Sequence, residues 1–196
     1  MQTDFVRTSK LVAIEDAERN FELIPDEPGV YAWFFRRPLP GIRCDDCLSR
    51  ENAKLLYVGI APRYRRVGAD RTKRTLRVRL KYHLTGNLSG STLRHSLAAI
   101  LKEELNLQAQ KRGTRITLAS DEDRLNDWMR GNALPTWSTC ANPWTLEHEL
   151  MSAYVLPLNL MSNSRNSQRS HVSDLRSALS RTALPDPRSL ATGSAA

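Results

Sequence analysis

The chain has 196 residues, a formal net charge of +8 and 40% hydrophobic residues, which is typical of one soluble globular domain. No apolar run approaches the ~20 residues that a membrane span needs, and three cysteines exclude a framework in which every cysteine is paired within the chain. Because the first residues lack the apolar stretch of a signal peptide, we expect a cytoplasmic location.

The first part of the chain predicts two strands separated by a long loop. We expect residues 1–24 to form a lead-in, and Pro25 to mark the entry to a first strand at about 30–35. Residues 36–53 contain two prolines, a glycine and several charges, which predict a loop. A second strand is expected at about 54–60.

The rest of the chain predicts helices with shorter strands between them. Ser120, followed by Glu122 and Asp123, is typical of a capping box that opens a helix. Pro135 lies in a β-like segment and favours an edge strand. Strands mixed with helices predict an α+β fold. Helices are expected at about 75–85, from Ser91 or Thr92 onward, and at 121–130, 144–155 and 172–180, with β-like segments at 115–119 and 133–139. We expect a domain over 25–182 and a disordered tail over 183–196.

Positive charge is concentrated just after the second predicted strand. From Pro62 to His83, nine Lys or Arg face one acid, Asp70, so the net charge of this segment equals that of the whole chain. Such a cluster predicts a polyanionic partner, because phosphate neutralisation supplies much of nucleic-acid affinity. A solvated basic surface is the alternative. The candidate nucleic-acid contacts are Arg63, Arg65, Arg66, Arg71, Lys73, Arg74, Arg77 and Lys81.

Cysteine spacing provides half of a possible metal site. Cys44 and Cys47 form a CxxC pair, whereas Cys140 is far away in the sequence. A structural zinc site normally has four ligands, so zinc would need Cys140 and a histidine as well. We therefore expect reduced thiols in a loop, with a zinc site as the alternative.

Two tripeptides with a tyrosine beside a glycine follow one another along the chain. They are Gly29-Val30-Tyr31 in the first predicted strand and Tyr57-Val58-Gly59 in the second. Neither tripeptide is specific by itself, because such combinations occur often by chance. Arg79 and His83 then follow, four residues apart, so on a helix they share a face.

The order of these residues resembles the GIY-YIG endonuclease family over about residues 25–165. Glu147 is followed, twelve residues later, by Asn159, which is similar to the family's metal-binding Glu and closing Asn. The gap between Tyr31 and Tyr57 is 26 residues, longer than the family's compact hairpin. The extra length is the loop 36–53, and some restriction enzymes of the family have similar insertions.

The resemblance implies a small, mainly antiparallel sheet flanked by helices, and the hydrolysis of DNA phosphodiester bonds. Glu147 would bind one Mg²⁺ or Mn²⁺ ion, Arg79 would stabilise the transition state, and Asn159 would tie the helix end to the site. The partner would be double-stranded DNA, with a homodimer or a recognition partner as a source of specificity. No membrane partner is expected.

The proton acceptor stays open between three side chains. Tyr31 would be the general base or would relay the proton, and Tyr57 would position Tyr31 or the water. A tyrosine ordinarily has a pKa of ~10, so we expect cationic neighbours or a metal to lower it. His83 is a competing base, because an imidazole titrates near neutral pH.

Alternatives remain for two residues and for the function. Glu149 is a rival ligand, although it points about 200° around the helix from Glu147, and Asn163 is a rival to Asn159. The alternative functions are a catalytically silent nucleic-acid-binding module and a nuclease for structured RNA. DNA is favoured over RNA through the family resemblance alone.

Overall fold

The computed structural model describes residues 4–62, 75–161, 163 and 166–186. No helix in these ranges is long and apolar enough to cross a membrane. In chain order the elements are α1 (Phe5–Thr8), α2 (Ile14–Arg19), β1 (Gly29–Phe35), β2 (Ser49–Arg50), β3 (Ala53–Ala61), α3 (Leu76–Thr85), α4 (Thr92–Ile100), β4 (Gln110–Arg112), β5 (Arg115–Thr117), α5 (Glu122–Asn132), β6 (Ala133–Thr139), α6 (Pro143–Ala153) and α7 (Arg169–Arg181). Short 3₁₀ turns lie at Phe21–Leu23, Leu88–Gly90 and Ala119–Asp121.

A four-stranded antiparallel sheet lies at the centre of the described structure, in the order β2-β3-β1-β6. Every residue of β1 is buried, because helices cover both faces of the sheet. The predicted α+β fold, with a small antiparallel sheet flanked by helices, is confirmed. β6 is an edge strand, as Pro135 indicated, and the Pro135 carbonyl accepts a hydrogen bond from Val12 N at 2.9 Å.

The alternation of side chains along β1 divides the apolar interior into two cores. Tyr31, Trp33 and Phe35 point into the larger core, which α2, α3, α4, α5 and α7 cover. Val30 and Phe34 point into the smaller core, which α1 and α6 cover. The helix that carries Arg79 and His83 therefore lies on the face to which Tyr31 points.

Tyr57 lies on the same face of the sheet as Tyr31, next to a β-bulge in β3. Trp33 pairs with Tyr57 and Phe34 pairs with Leu55, so Leu56 is the extra residue. Bulges of this kind redirect a side chain and often lie beside functional sites. Because Tyr31 pairs with Gly59 two positions further on, both motif tyrosines share one face of the sheet.

The segments on either side of the central domain also pack against it. In the lead-in, Val6 and Ile14 are buried in the smaller and the larger core. The loop 36–53 buries Leu39 and contains β2. Leu184, in the segment where a tail was expected, bonds to Ala109 and Lys111 of the β4 region, whereas residues 187–196 lie outside the described part of the chain.

The prediction of a capping box at Ser120 is wrong. The helix α5 begins at Glu122, and no side chain caps its first turn. The Glu122 carboxylate instead accepts hydrogen bonds from the backbone N–H groups of Leu88 and Leu118 and pairs with Arg94. The Glu122 carboxylate thus connects α5 to α4 and to the turn at Leu88.

Candidate active site

Tyr31 lies at the centre of a group of polar side chains in the larger core. Its side chain is 1% exposed. The phenol oxygen is 2.7 Å from His83 Nε2 and accepts a hydrogen bond from Arg79 Nε at 3.3 Å. Arg79 and His83 are one turn apart on α3, so the helix presents both to the same oxygen, in agreement with their spacing.

Gly59 makes room for the Tyr31 ring. The two residues are paired across β1 and β3. A Cβ atom at position 59 would lie 2.9 Å from Tyr31 Cε2 and closer still to Cζ and Oη. At Gly29, an added Cβ would lie 2.6 Å from Leu76 Cδ1. The glycines of both tripeptides therefore permit close packing around the tyrosine and the start of α3.

Tyr57 lies beside Tyr31 and His83. Its ring centroid is 6.4 Å from each of their ring centroids. Its hydroxyl is 3.3 Å from the hydroxyl of Thr92, in the first turn of α4. Tyr57 is 8% exposed against 1% for Tyr31, so it lies slightly nearer to solvent.

Burial raises the pKa of the Tyr31 phenol well above its ordinary range. Tyr57 raises it as well, and the Arg79 cation opposes both effects without cancelling them. A cationic neighbour, Arg79, thus lowers the pKa of this tyrosine as expected, but burial outweighs it. The Tyr31 phenol carries its proton at neutral pH.

His83 is fully buried and is held on both sides by oxygen atoms. Its Nε2 is 2.7 Å from the Tyr31 hydroxyl, and its Nδ1 is 2.7 Å from Ser91 Oγ. The edge of the ring faces Trp33, with centroids 6.0 Å apart. Because both nitrogens have partners and the ring has no room to turn, its orientation is fixed.

Arg79 is positioned by two bonds that leave much of its guanidinium unused. Nε donates to Tyr31 Oη, and Nη1 donates to the Gly90 carbonyl at 3.1 Å. A guanidinium has five N–H groups, so three remain without an acceptor among the described residues. The side chain is only partly buried, which makes these donors accessible to an anion.

Asn159 fixes the backbone of the second tripeptide. Its side chain accepts from Val58 N at 2.9 Å and donates to Val58 O at 2.8 Å, as a neighbouring strand would. Among the described residues, the rival Asn163 donates a longer bond, of 3.4 Å, to the Leu156 carbonyl. Asn159 therefore holds β3 beside Tyr57 and does not approach the reacting groups through these contacts.

Glu147 is half-buried on α6, and the rival Glu149 is exposed. The helix packs on the smaller core, opposite the face of Tyr31. The Glu147 carboxylate nonetheless raises the pKa of Tyr31, as a smaller cause than burial and Tyr57. Its charge therefore acts on the phenol. No group of three or more His, Cys, Asp or Glu side chains that could hold a metal occurs among the described residues.

A family model described as the GIY-YIG catalytic domain matches residues 29–178, more than half of the chain. The protein belongs to the GIY-YIG family. It is therefore a nuclease, a hydrolase of the endonuclease type. Nucleases of this family generally use divalent metal ions. No curated protein and no solved structure matches the chain.

Sequence reasoning missed a buried arginine that supports the site of this GIY-YIG nuclease. Arg94 has no solvent exposure and pairs with Glu122 at 2.9 Å. It also donates to Asn126 Oδ1 at 2.7 Å and to the His83 carbonyl at 3.1 Å. Its position among the leucines of α4, on the apolar face, was the available signal, because an arginine there requires a buried partner.

Most of the basic residues expected to contact nucleic acid lie within 63–74, between two described parts of the chain. Arg77 donates to the Ile24 carbonyl at 2.8 Å, and Lys81 is exposed, with Nζ 5.0 Å from the centre of the Phe21 ring. Both point away from the face of α3 that carries Arg79 and His83. The remaining candidates, Arg63, Arg65, Arg66, Arg71, Lys73 and Arg74, lie outside the described residues.

The cysteines of the GIY-YIG nuclease are separate from this site. Cys44, Cys47 and Cys140 are free thiols. Cys44 and Cys47 contact the larger core and Cys140 contacts the smaller one, on the other side of the sheet. The structure therefore does not bring Cys140 to the CxxC pair as a third zinc ligand.

Proposed function

We propose that this nuclease is a divalent-metal-dependent endonuclease that hydrolyses phosphodiester bonds of double-stranded DNA. The observation that carries the proposal is the buried contact of Tyr31 with both Arg79 and His83, together with the effect of the Glu147 charge on the same phenol. Proton transfer, charge compensation and metal binding each need one of these residue types.

Tyr31 acts as a proton relay in this proposal. Because its phenol is protonated at neutral pH, it cannot accept a proton unless it gives up its own. The acceptor for that proton is His83 Nε2, at 2.7 Å. As the water oxygen bonds to phosphorus, one water proton passes to Tyr31 and the phenolic proton passes to His83. The bond to the leaving oxygen breaks with its electron pair on that oxygen, which then takes a proton from bulk water. Tyr57, beside Tyr31, orients the water.

Arg79 binds the phosphate in this proposal. Its three remaining N–H groups match the geometry of the non-bridging oxygens, and guanidinium pairs with phosphate in a bidentate manner. The bonds to Tyr31 and Gly90 hold the side chain before substrate arrives. Preorganised donors of this kind stabilise the developing charge of a transition state.

Glu147 would hold the metal ion in this proposal, with Mg²⁺ or Mn²⁺ as the cation. A single carboxylate fits Mg²⁺, which keeps several waters and binds through one or two carboxylates plus substrate phosphate. It does not fit an ion that needs a closed set of nitrogen or sulfur ligands. When bound, a hard divalent cation stabilises charge on the phosphate and on the leaving oxygen.

The DNA backbone beyond the scissile phosphate would lie along the basic segment before α3. The proposed contacts in this segment are Arg63, Arg65, Arg66, Arg71, Lys73 and Arg74. Lys81 is exposed on α3 but lies on the side opposite Arg79, so it would contact a more distant part of the backbone. Arg77 is the least suited of the candidates, because the Ile24 carbonyl holds it. Binding through backbone phosphates predicts an affinity that falls steeply as salt rises. A flat salt response would remove this surface from the proposal.

Plasmid nicking tests the proposed function. We expect cleavage with Mg²⁺, no cleavage with EDTA, and loss of cleavage in Glu147→Ala with DNA binding largely kept. Glu149→Ala is the matched control, because it removes an exposed carboxylate from the same helix. Its activity should equal that of the wild type.

The other outcomes of this assay identify the alternatives. Salt-sensitive DNA binding without cleavage in any metal would contradict the proposal and favour a binding module. Faster cleavage of RNA than of DNA of the same sequence, in a side-by-side incubation, would contradict the choice of DNA. Equal loss of cleavage in the Glu147 and Glu149 variants would contradict the assignment of the metal carboxylate.

A further inference from the structure

We propose that Ser91 is a positioning residue that keeps the imidazole hydrogen of His83 on Nδ1, so that Nε2 is the acceptor for the phenolic proton of Tyr31. This inference rests on the proposed proton relay and extends it by one residue. Ser91 Oγ, His83 and Tyr31 Oη form a continuous line of contacts, each 2.7 Å long. All three side chains are buried, with exposures of 2%, 0% and 1%.

The two hydroxyl groups compete for one acceptor. A neutral imidazole has one N–H and one accepting nitrogen, so it can accept from Tyr31 or from Ser91 but not from both. Tyr31 has a second neighbour, Arg79 Nε, but an arginine only donates. Within the described contacts, His83 Nε2 is therefore the acceptor that the buried phenolic hydrogen can reach.

The chemistry of the two hydroxyl groups decides the competition. A phenol is far more acidic than an aliphatic hydroxyl, so its hydrogen bond to an imidazole nitrogen is the stronger one. The burial that keeps Tyr31 protonated makes this hydrogen bond necessary. Nε2 therefore accepts from Tyr31, and Nδ1 carries the hydrogen and donates it to Ser91 Oγ.

The backbone around Ser91 presents its oxygen as an acceptor. Ser91 is the N-cap of α4, where its Oγ accepts the N–H of Arg94 at 3.1 Å. The guanidinium of the same Arg94 donates to the His83 carbonyl at 3.1 Å. One residue thus fixes the positions of both Ser91 and His83, and the second lone pair of Oγ is directed to Nδ1.

The charges around His83 make the Ser91 Oγ acceptor important. Arg79 lies one turn away on α3, and Arg94 lies behind the ring, paired with Glu122. The Tyr57 ring on β3 lies beside the imidazole, and the Glu147 charge acts on Tyr31. When His83 receives the Tyr31 proton it becomes a cation with two N–H groups. Tyr31 Oη and Ser91 Oγ then accept one bond each, and the proton later returns through Tyr31 to bulk water.

Nitrogen NMR of the histidine rings tests the tautomer without any activity measurement. The chain has four histidines, which allows assignment by single substitutions in ¹⁵N-labelled protein. Above the pH at which His83 is protonated, we expect the wild type to show the ring hydrogen on Nδ1. Ser91→Thr keeps the hydroxyl and should keep this tautomer. Ser91→Ala leaves a hydrogen on Nδ1 buried without its Oγ acceptor, a cost that opposes the preference of the phenol, so this variant should populate the tautomer with the hydrogen on Nε2, where Tyr31 Oη accepts it. A hydrogen on Nε2 in the wild type, or an unchanged tautomer in Ser91→Ala, would overturn the inference.

Cleavage rates complete the test. We expect Ser91→Ala to cleave at least about tenfold more slowly, since general acid–base groups contribute roughly 10²–10⁴-fold, with unchanged DNA affinity and recovery in Ser91→Thr. Asn20→Ala is the control for a lost cap, because Asn20 caps the 3₁₀ turn at Phe21–Leu23. If Ser91→Ala does not fold, the wild-type spectrum still decides.

The two proposals fail in different ways. The Nδ1 tautomer in a protein that cleaves no nucleic acid would refute the proposed function and leave the arrangement of hydrogens standing. Cleavage by a protein with the Nε2 tautomer, or wild-type rates in Ser91→Ala, would refute the role of Ser91 alone.

Discussion

Replacing Gly59 with alanine tests the link between the fold and the site. The added methyl group would overlap the Tyr31 phenol, whose Cε2 atom would be 2.9 Å away and whose Cζ and Oη would be closer. The ring has little room to yield, because Tyr31 is buried and His83 and Tyr57 lie beside it. The conflict is steric, since the backbone at Gly59 is ordinary extended strand.

The size of the effect follows from the contacts that the ring would lose. Forcing a methyl group into a packed core costs about 1–3 kcal/mol of unfolding free energy. Moving the phenol by about 1 Å would break its 2.7 Å contact with His83, and a misplacement of that size costs roughly 10²-fold in rate. We therefore expect a lower denaturation midpoint and much slower plasmid cleavage, with DNA affinity unchanged.

Gly131→Ala is the matched control for this substitution. An added Cβ at Gly131 meets no atom within 4 Å, and the residue lies in α5. Because alanine favours a helix, this variant should be more stable by about 0.4–1 kcal/mol and fully active. The Tyr31→Phe background removes the nearest atom and should reduce the stability cost of Gly59→Ala. Wild-type stability and cleavage in Gly59→Ala would refute the steric argument.

Three further predictions concern stability. Asn159→Ala removes two buried hydrogen bonds to β3 and should lower the unfolding free energy by about 1–3 kcal/mol in guanidinium titrations. Arg94→Met should cost about 3–5 kcal/mol because it leaves Glu122 as a partly buried, unpaired charge; adding Glu122→Gln should recover part of the loss, and full additivity would contradict this reasoning. Burial and then the Arg176 cation lower the pKa of His95 to about 4. The unfolded chain therefore binds more protons between about pH 4 and 6.5, and stability should rise with pH across that window. His95→Gln should show a smaller rise than the wild type in denaturation midpoints.

The sequence was sufficient to predict the contacts that depend on local geometry. Arg79 and His83 are four residues apart, and helical geometry then places them on one face whatever the tertiary structure. Tyr31 and Tyr57 lie in adjacent strands, and a hairpin-like order brings such strands together. These contacts follow from distances along the chain that a helix or a strand pair fixes.

The remaining contacts depend on burial and on residues distant in the sequence. The pKa of Tyr31 is raised by the sum of many atoms around it, which a charge count near α3 cannot represent. Glu122 pairs with the buried Arg94, 28 residues earlier, a contact that no local pattern near α5 predicts. Ser91 was recognisable as a helix cap, yet its contact with His83 depends on how the turn between α3 and α4 folds back.

Burial at this site couples stability to chemistry, and a mutation outside the larger core can separate the two. The same packing that holds Tyr31 in the core raises its pKa, so the phenol needs His83 as an acceptor for its proton. Changes at Gly59, Ser91 or Arg94 disturb this packing and should lower stability and cleavage together. Glu147 is half-buried on a different helix, and its charge opposes ionisation of Tyr31. Glu147→Ala leaves the larger core around Tyr31 unchanged and should lose cleavage with the Tyr31–His83 contact kept, which separates the proposed metal ligand from the residues that hold the relay.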